Sequence, residues 1–190
     1  MDKLIKVSLG AGKVRFPDFI HIDSGDYDDI TYKDVINLPF VDDSLDLIYV
    51  SHLLAYFDRE EIVPILNGWY SKLKSGGVLR ISTTDFDRMV YIYKKRKAPL
   101  GDLLGPIFGR ILINGKAAYH KTIYNGADLY ILLKTIGFKT IRTWDWKRMP
   151  PHDKIDDQSR SYWPKKPELY GTGKFTKDQC MISLNIEAVK

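Results

Sequence analysis

A single cysteine, Cys180, stands among the 190 residues, so the chain has no pair from which to build an internal disulfide. No apolar run approaches the roughly 18 residues that span a bilayer. Met1-Asp2-Lys3 leads straight into a strand-like stretch, without the charged, apolar and small-residue zones of a signal peptide. These absences point to a reducing, cytoplasmic setting. Cysteines and histidines nowhere take metal-ligand spacing, so no metal is expected, and the adjacent acids Asp156 and Asp157 alone do not make a cation site. The net charge of +5 is a modest excess. Its one dense cluster, Lys94-Lys95-Arg96-Lys97, reads as a solvated helix end that complements the helix dipole, so nucleic acid is not expected as a partner. The length and 44% hydrophobic content suit one domain over 1–190 with a full core, whether or not it belongs to a larger protein.

What is present is an alternation of strand and helix signals. Leu4 to Leu9 and Phe19 to Ile22 alternate apolar and polar residues, a weak strand is expected around Ile30 to Val35, and Leu45 to Val50 is a near-continuous apolar run. Asp58 and Glu61 have capping-box spacing before a helix through Leu73, in which Pro64 sits awkwardly. Lys74-Ser75-Gly76-Gly77 should stop that helix, and Val78 to Ser82 is another strand. Asp85 or Asp87 should cap the next helix. A helix from about Ala127 to Ile136 ends at Gly137, and strands follow at Phe138 to Trp144 and Met181 to Val189. The pattern predicts an α/β fold, a mostly parallel sheet with helices on both faces and an antiparallel C-terminal strand. The segments 99–121 and 147–177 have little periodicity and read as covers over a substrate site.

Ligands of such sheets lie beyond the carboxyl ends of the strands. Gly10-Ala11-Gly12, Asp23, Asp34, Ser51-His52 and Thr83-Thr84-Asp85 all follow strands and should share one rim. A dinucleotide fingerprint is excluded: it needs a third glycine, at Arg15, a helix directly after, and an acid about 20 residues on. Here a second strand begins at Phe19 and Asp23 comes too early.

The stretches "VSLGAGKVRFPDFIHID", "DVINLPFVDDSLDLIYVSHLLAYF" and "LKSGGVLRISTTDFDRMV", in that order, resemble the Class I S-adenosylmethionine-dependent methyltransferases, which have a Rossmann-like fold. They are most similar to a compact branch, of methyltransferase type 11-like character, that modifies glycans and polysaccharides. "DDQSRSYWP" and "MISLNIEAVK" extend the resemblance near the C-terminus. The resemblance implies S-adenosyl-L-methionine as cofactor. It places Gly10, Ala11 and Gly12 at the methionine end, Asp23 on the ribose hydroxyls, Asp34 and Leu38 beside the adenine, and Ser51 and His52 near the sulfonium. It also implies a small-molecule or glycan acceptor, O-methylation of a sugar hydroxyl, and fusion to or association with glycosyltransferase domains. Ser8 replaces an acid that relatives carry, Val14 a third glycine, and Ala55-Tyr56 a Glu-His pair.

Methyl transfer to a hydroxyl needs a positioned base. His120, in "AAYHKTIYN", is the first candidate, with Asp85, His152 and Asp157 behind it; Trp144, Trp146, Tyr162 and Trp163 could stack on a sugar ring. Each has a plainer role available, as helix cap, turn residue or packing. An RNA or protein methyltransferase, or a non-catalytic domain of the same fold, would carry many of the same residues.

Overall fold

The computed structural model describes residues 3–165 and 176–190. Four strands come first: β1 (Lys6–Leu9), β2 (Phe19–Ile22), β3 (Leu45–Ser51) and, after helix α1 (Ile62–Lys72), β4 (Leu73–Thr84). Helices α2 (Phe86–Arg96) and α3 (Leu100–Phe108) follow, then strands β5 (Ile111–Ile113) and β6 (Lys116–Ala118) and helix α4 (Gly126–Ile136). Strands β7 (Thr140–Thr143), β8 (Tyr162–Trp163), β9 (Cys180–Met181) and β10 (Ser183–Val189) follow among the described residues. The main sheet runs β2-β1-β3-β4-β10-β7. Ladders β1/β2, β1/β3 and β3/β4 are parallel, and β10 is antiparallel to both neighbours. The chain leaves β1 to one side for β2 and returns on the other for β3, which puts the switch in strand order at the end of β1.

The register explains which face is greasy. Val7, Leu9, Ile48, Val50, Ile81 and Ile186 share a core with Leu66 and Trp69 of α1 and Leu129 and Leu133 of α4. The opposite face carries a polar row across all six strands: His21, Ser8, Tyr49, Arg80, Glu187 and Arg142 are successive cross-strand partners. Buried Glu187 accepts from Arg80 at 3.1 Å and from Arg142 at 2.7 Å, which neutralises it. Helices on both faces were expected, but α1 and α4 cover one face only. On the other, Phe16, Trp144 and Trp146 pack with Tyr49 under the 144–161 segment. The reason is chain length: the Gly10–Asp18 connection is too short to hold a helix and reach β2. Helices α2 and α3 pack on each other, with Met89, Ile92 and Leu103 meeting Ile182.

Local details both fulfil and correct the expectations. The capping box forms, with Glu61 N–H donating to Asp58 Oδ1 at 2.8 Å and Asp58 N–H to Glu61 Oε2 at 2.9 Å. The helix proper starts at Ile62, so Pro64 falls in its first turn, where a missing N–H costs little. The strand expected at Ile30 to Val35 is only a single bridge, Ile22 to Tyr32. The stretch from Pro99 to Gly115, expected to be irregular, holds α3 and the turn of a hairpin. Asn114 and Gly115 both have positive φ, 50° and 78°, the conformation of an Asn-Gly hairpin turn.

Candidate functional site

A cleft of about 1210 Å³ opens over the carboxyl ends of the sheet strands. Its floor begins where β1 turns. Gly10 has φ 65° and Gly12 φ 54°, both left-handed, and a β-carbon at Gly10 would lie 3.1 Å from Leu53 Cβ. At Gly12 nothing stands within 4 Å of that position, so backbone is open to the cleft there. The Gly10 N–H donates to Ile22 O at 2.9 Å, which ties the turn to the end of β2.

Asp23 follows directly and lines the cleft. Its Oδ2 accepts from Gly12 N–H at 2.8 Å and its Oδ1 from Gly25 N–H at 2.7 Å. Each oxygen therefore keeps a lone pair, so the carboxylate can accept two further hydroxyls. Asp34 also lines the cleft, holding Ile36 and Asn37 N–H at 2.7 and 2.9 Å. Hydrogen bonds from the Asn37 side chain and backbone keep its pKa below the usual carboxylate range. Leu38 lies instead in the helix-side core and is not a lining residue; Val35 and Ile36 supply the apolar wall.

Ser51 ends β3 at the cleft, His52 follows it, and both are held by the cover. Ser51 Oγ donates to Asp157 O at 2.5 Å, and His52 Nε2 to Gln158 O at 3.2 Å. His52 has φ 50°, unusual for a residue with a β-carbon, and desolvation pulls its pKa down to about 4. Two residues of β10 tie the same loop down: Ser183 Oγ donates to Gln158 O at 2.7 Å and Asn185 Nδ2 to Ser159 O at 2.8 Å. The polar alternation of β10 thus faces a buried seam, not solvent.

Asp157 lines the cleft, yet its oxygens are occupied. They accept from Tyr49 Oη, from His152 Nδ1 at 2.9 Å, and from Ser159 N–H and Oγ at 3.1 and 2.6 Å. Burial raises its pKa, but the bonds from His152, Ser159 and Tyr49 outweigh this and hold it below the usual range. His152 is wholly buried among Phe16, Tyr49 and Trp144, away from the cleft. Asp85 is the N-cap of α2, accepting from Asp87 and Arg88 N–H, and is not a lining residue. Of the four aromatic candidates only Trp146 and Tyr162 line the cleft; Trp144 packs on Tyr49 and Trp163 against the α2–α3 cluster.

His120 does reach the cleft. Its backbone N–H donates to Phe108 O at 2.7 Å, and its Nδ1 bonds Ile107 O at 3.0 Å. A carbonyl can only accept, so Nδ1 carries the proton and Nε2 keeps its lone pair. Burial lowers the pKa, against the carbonyls of Ile107 and Pro106, so the ring is neutral at pH 7. Tyr56 packs edge-on against the ring at 4.8 Å, giving a use to a residue that departs from the resembled pattern. Tyr27, Lys33, Gly109 and Arg160 are lining residues that the sequence pattern did not single out. Only Tyr27, placed just after the Gly25 turn that follows Asp23, had a signal in its position. Residues 105–120 and 156–165 supply cleft wall from the two segments expected to cover it; 166–175 lie outside the described residues. Among the described residues no group of three or more His, Cys, Asp or Glu could hold a metal ion.

No family model and no curated protein matches the chain. Solved structures do. It is similar to an S-adenosylmethionine-dependent methyltransferase from Thermotoga maritima, with 16% identity over 100% of this chain and 84% of that one, TM-score 0.57. One from Archaeoglobus fulgidus gives 17% identity, 98% and 86% coverage, and TM-score 0.57. The Burkholderia thailandensis 1,6-didemethyltoxoflavin-N1-methyltransferase, solved with S-adenosylhomocysteine, gives 13%, 98% and 70%, and 0.55. The chain has the Rossmann-like fold of S-adenosylmethionine-dependent methyltransferases.

Proposed function

We propose that the chain is an S-adenosylmethionine-dependent methyltransferase acting on a sugar hydroxyl of a glycan or nucleotide sugar. The observation that carries the cofactor assignment is Asp23: a carboxylate at the end of β2, beside the strand-order switch, with one lone pair left on each oxygen, as two ribose hydroxyls require. The open backbone at Gly12 suits the methionine end, and Asp34 with Val35 and Ile36 suits the adenine side. When bound, the cofactor supplies an electrophilic methyl group on a cationic sulfonium.

The chain's own residues supply the rest. Ser51 and the neutral His52 sit beside the Gly10 turn and are held by the cover. His120 Nε2 is the base: it takes the proton of the acceptor hydroxyl as the oxygen attacks in line. Half-buried Tyr162 offers a ring to the sugar at the cleft wall, behind which Trp146 is packed under Arg160. The acceptors named for the neighbouring structures differ in chemistry from a sugar, so the choice rests on the hydroxyl-directed base and these aromatic walls. Incubation with methyl-labelled cofactor and a panel of nucleotide sugars and oligosaccharides tests it. Label in a sugar product supports the assignment. Label recovered only in RNA or protein would move the acceptor class, and no cofactor binding at all would leave a non-catalytic domain.

A further inference from the structure

Helix α3 is apolar on two sides. Leu103 and Ile107 face the α2 cluster, but Leu100, Leu104 and Phe108, spaced by four, form a second row that is 58%, 45% and 54% exposed. Leu112 extends the apolar surface: it is 56% exposed and points to the side of its strand opposite the cleft-lining Ile111 and Ile113. Cations stand at both ends of the row. Exposed Lys94, Lys95 and Lys97 close α2 just before α3, and exposed Arg110 and Lys116 follow it. From Arg88 to Asn125 there are eight lysines and arginines against one acid, Asp102, more positive charge than the +5 of the whole chain.

We infer that α3 and its basic flanks dock on an anionic lipid surface. An apolar row bordered by lysines is the pattern of a helix lying at a bilayer interface, with the apolar side chains among the acyl boundary and the cations among the headgroups. A second copy of this chain would set the same cations against each other, which disfavours self-docking. A nucleic acid would leave Leu100, Leu104 and Leu112 without a role, since bases stack on aromatic side chains. Gly105, Pro106 and Gly109, on the same helix and its end, line the cleft, so docking brings the cleft to the headgroup plane. If the methyltransferase assignment holds, the acceptor is membrane-borne.

Sedimentation of the full chain with vesicles tests this. Binding is expected to phosphatidylcholine vesicles containing one-third phosphatidylglycerol at low salt, and not to phosphatidylcholine alone. The triple variant Lys94→Gln, Lys95→Gln, Lys97→Gln should weaken it by about a hundredfold. Leu104→Glu with Phe108→Glu should weaken it by at least about tenfold with the circular dichroism unchanged. Absence of binding to the anionic vesicles overturns the inference, as does binding indifferent to Leu104→Glu with Phe108→Glu, or a dimer in ultracentrifugation that this variant dissolves. Cofactor affinity, measured by calorimetry on the same variants, should not change; its absence in the parent chain would defeat the methyltransferase assignment while leaving the lipid result standing.

Discussion

A β-carbon on Gly109 would lie 2.5 Å from Nε2 of His120, well inside any tolerated contact. The glycine, itself at φ 54°, therefore makes room for the ring of this cleft-lining histidine. Gly109→Ala is predicted to displace His120 and lower turnover by about 10²-fold while leaving the cofactor dissociation constant unchanged. His120→Ala should give at least the same loss. Steady-state turnover with parallel calorimetry checks both; full turnover in His120→Ala would remove this histidine from the mechanism.

The proposed base dictates a pH profile. Burial lowers the His120 pKa from its ordinary 6.5, so the reactive neutral ring persists at pH values where a free histidine is already protonated. The prediction is that kcat/KM is flat through neutrality and falls only on the acid side, with its midpoint below about 6.5. A midpoint above that value would contradict the assignment.

Asp157 acts on the cover. Its carboxylate gathers Tyr49 of β3, His152 and Ser159, so Asp157→Ala leaves several buried donors without an acceptor. It should lower stability by about 3 kcal/mol or more. In denaturant titration Tyr49→Phe, which removes one donor and leaves the rest bonded, should cost less. Equal stability of Asp157→Ala and the parent would deny the seam its role.

Acid should weaken the fold before the carboxylates titrate. His52, near 4, and His21, lowered by burial, by Arg15 and against Asp29, are harder to protonate when folded than when unfolded. Between about 6.5 and 4 the unfolded chain binds more protons, so stability is whole above 6.5 and declines as pH falls through that window. Thermal unfolding across the window checks this, and His52→Gln should flatten part of the slope.

The parts of this molecule visible in the sequence are those fixed by short-range chemistry. Alternation found β1, β2 and β10, the Asp58–Glu61 box and Gly137 marked helix ends, and Gly10, Gly12 and Asp23 stood out because strand ends carry ligands in this fold class. The second sheet face was hidden. Its polar row exists only through register across six strands, and a segment without periodicity covers it, so Asp157 and His152 looked like site acids and bases when they are bonded to the seam. The Asn114-Gly115 hairpin was legible in principle, but flanking glycines at Gly105 and Gly109 made the stretch look irregular. Leu38 packs in the helix-side core and Asp85 caps α2, which spacing along a loop does not specify.

Asp23 is the residue on which the cofactor assignment stands, and calorimetry with S-adenosylhomocysteine tests it most directly. The parent chain should bind, and Asp23→Ala should lose at least about tenfold in affinity for each ribose hydroxyl left without its acceptor. Binding that is absent in the parent, or undiminished in Asp23→Ala, would contradict the site as drawn.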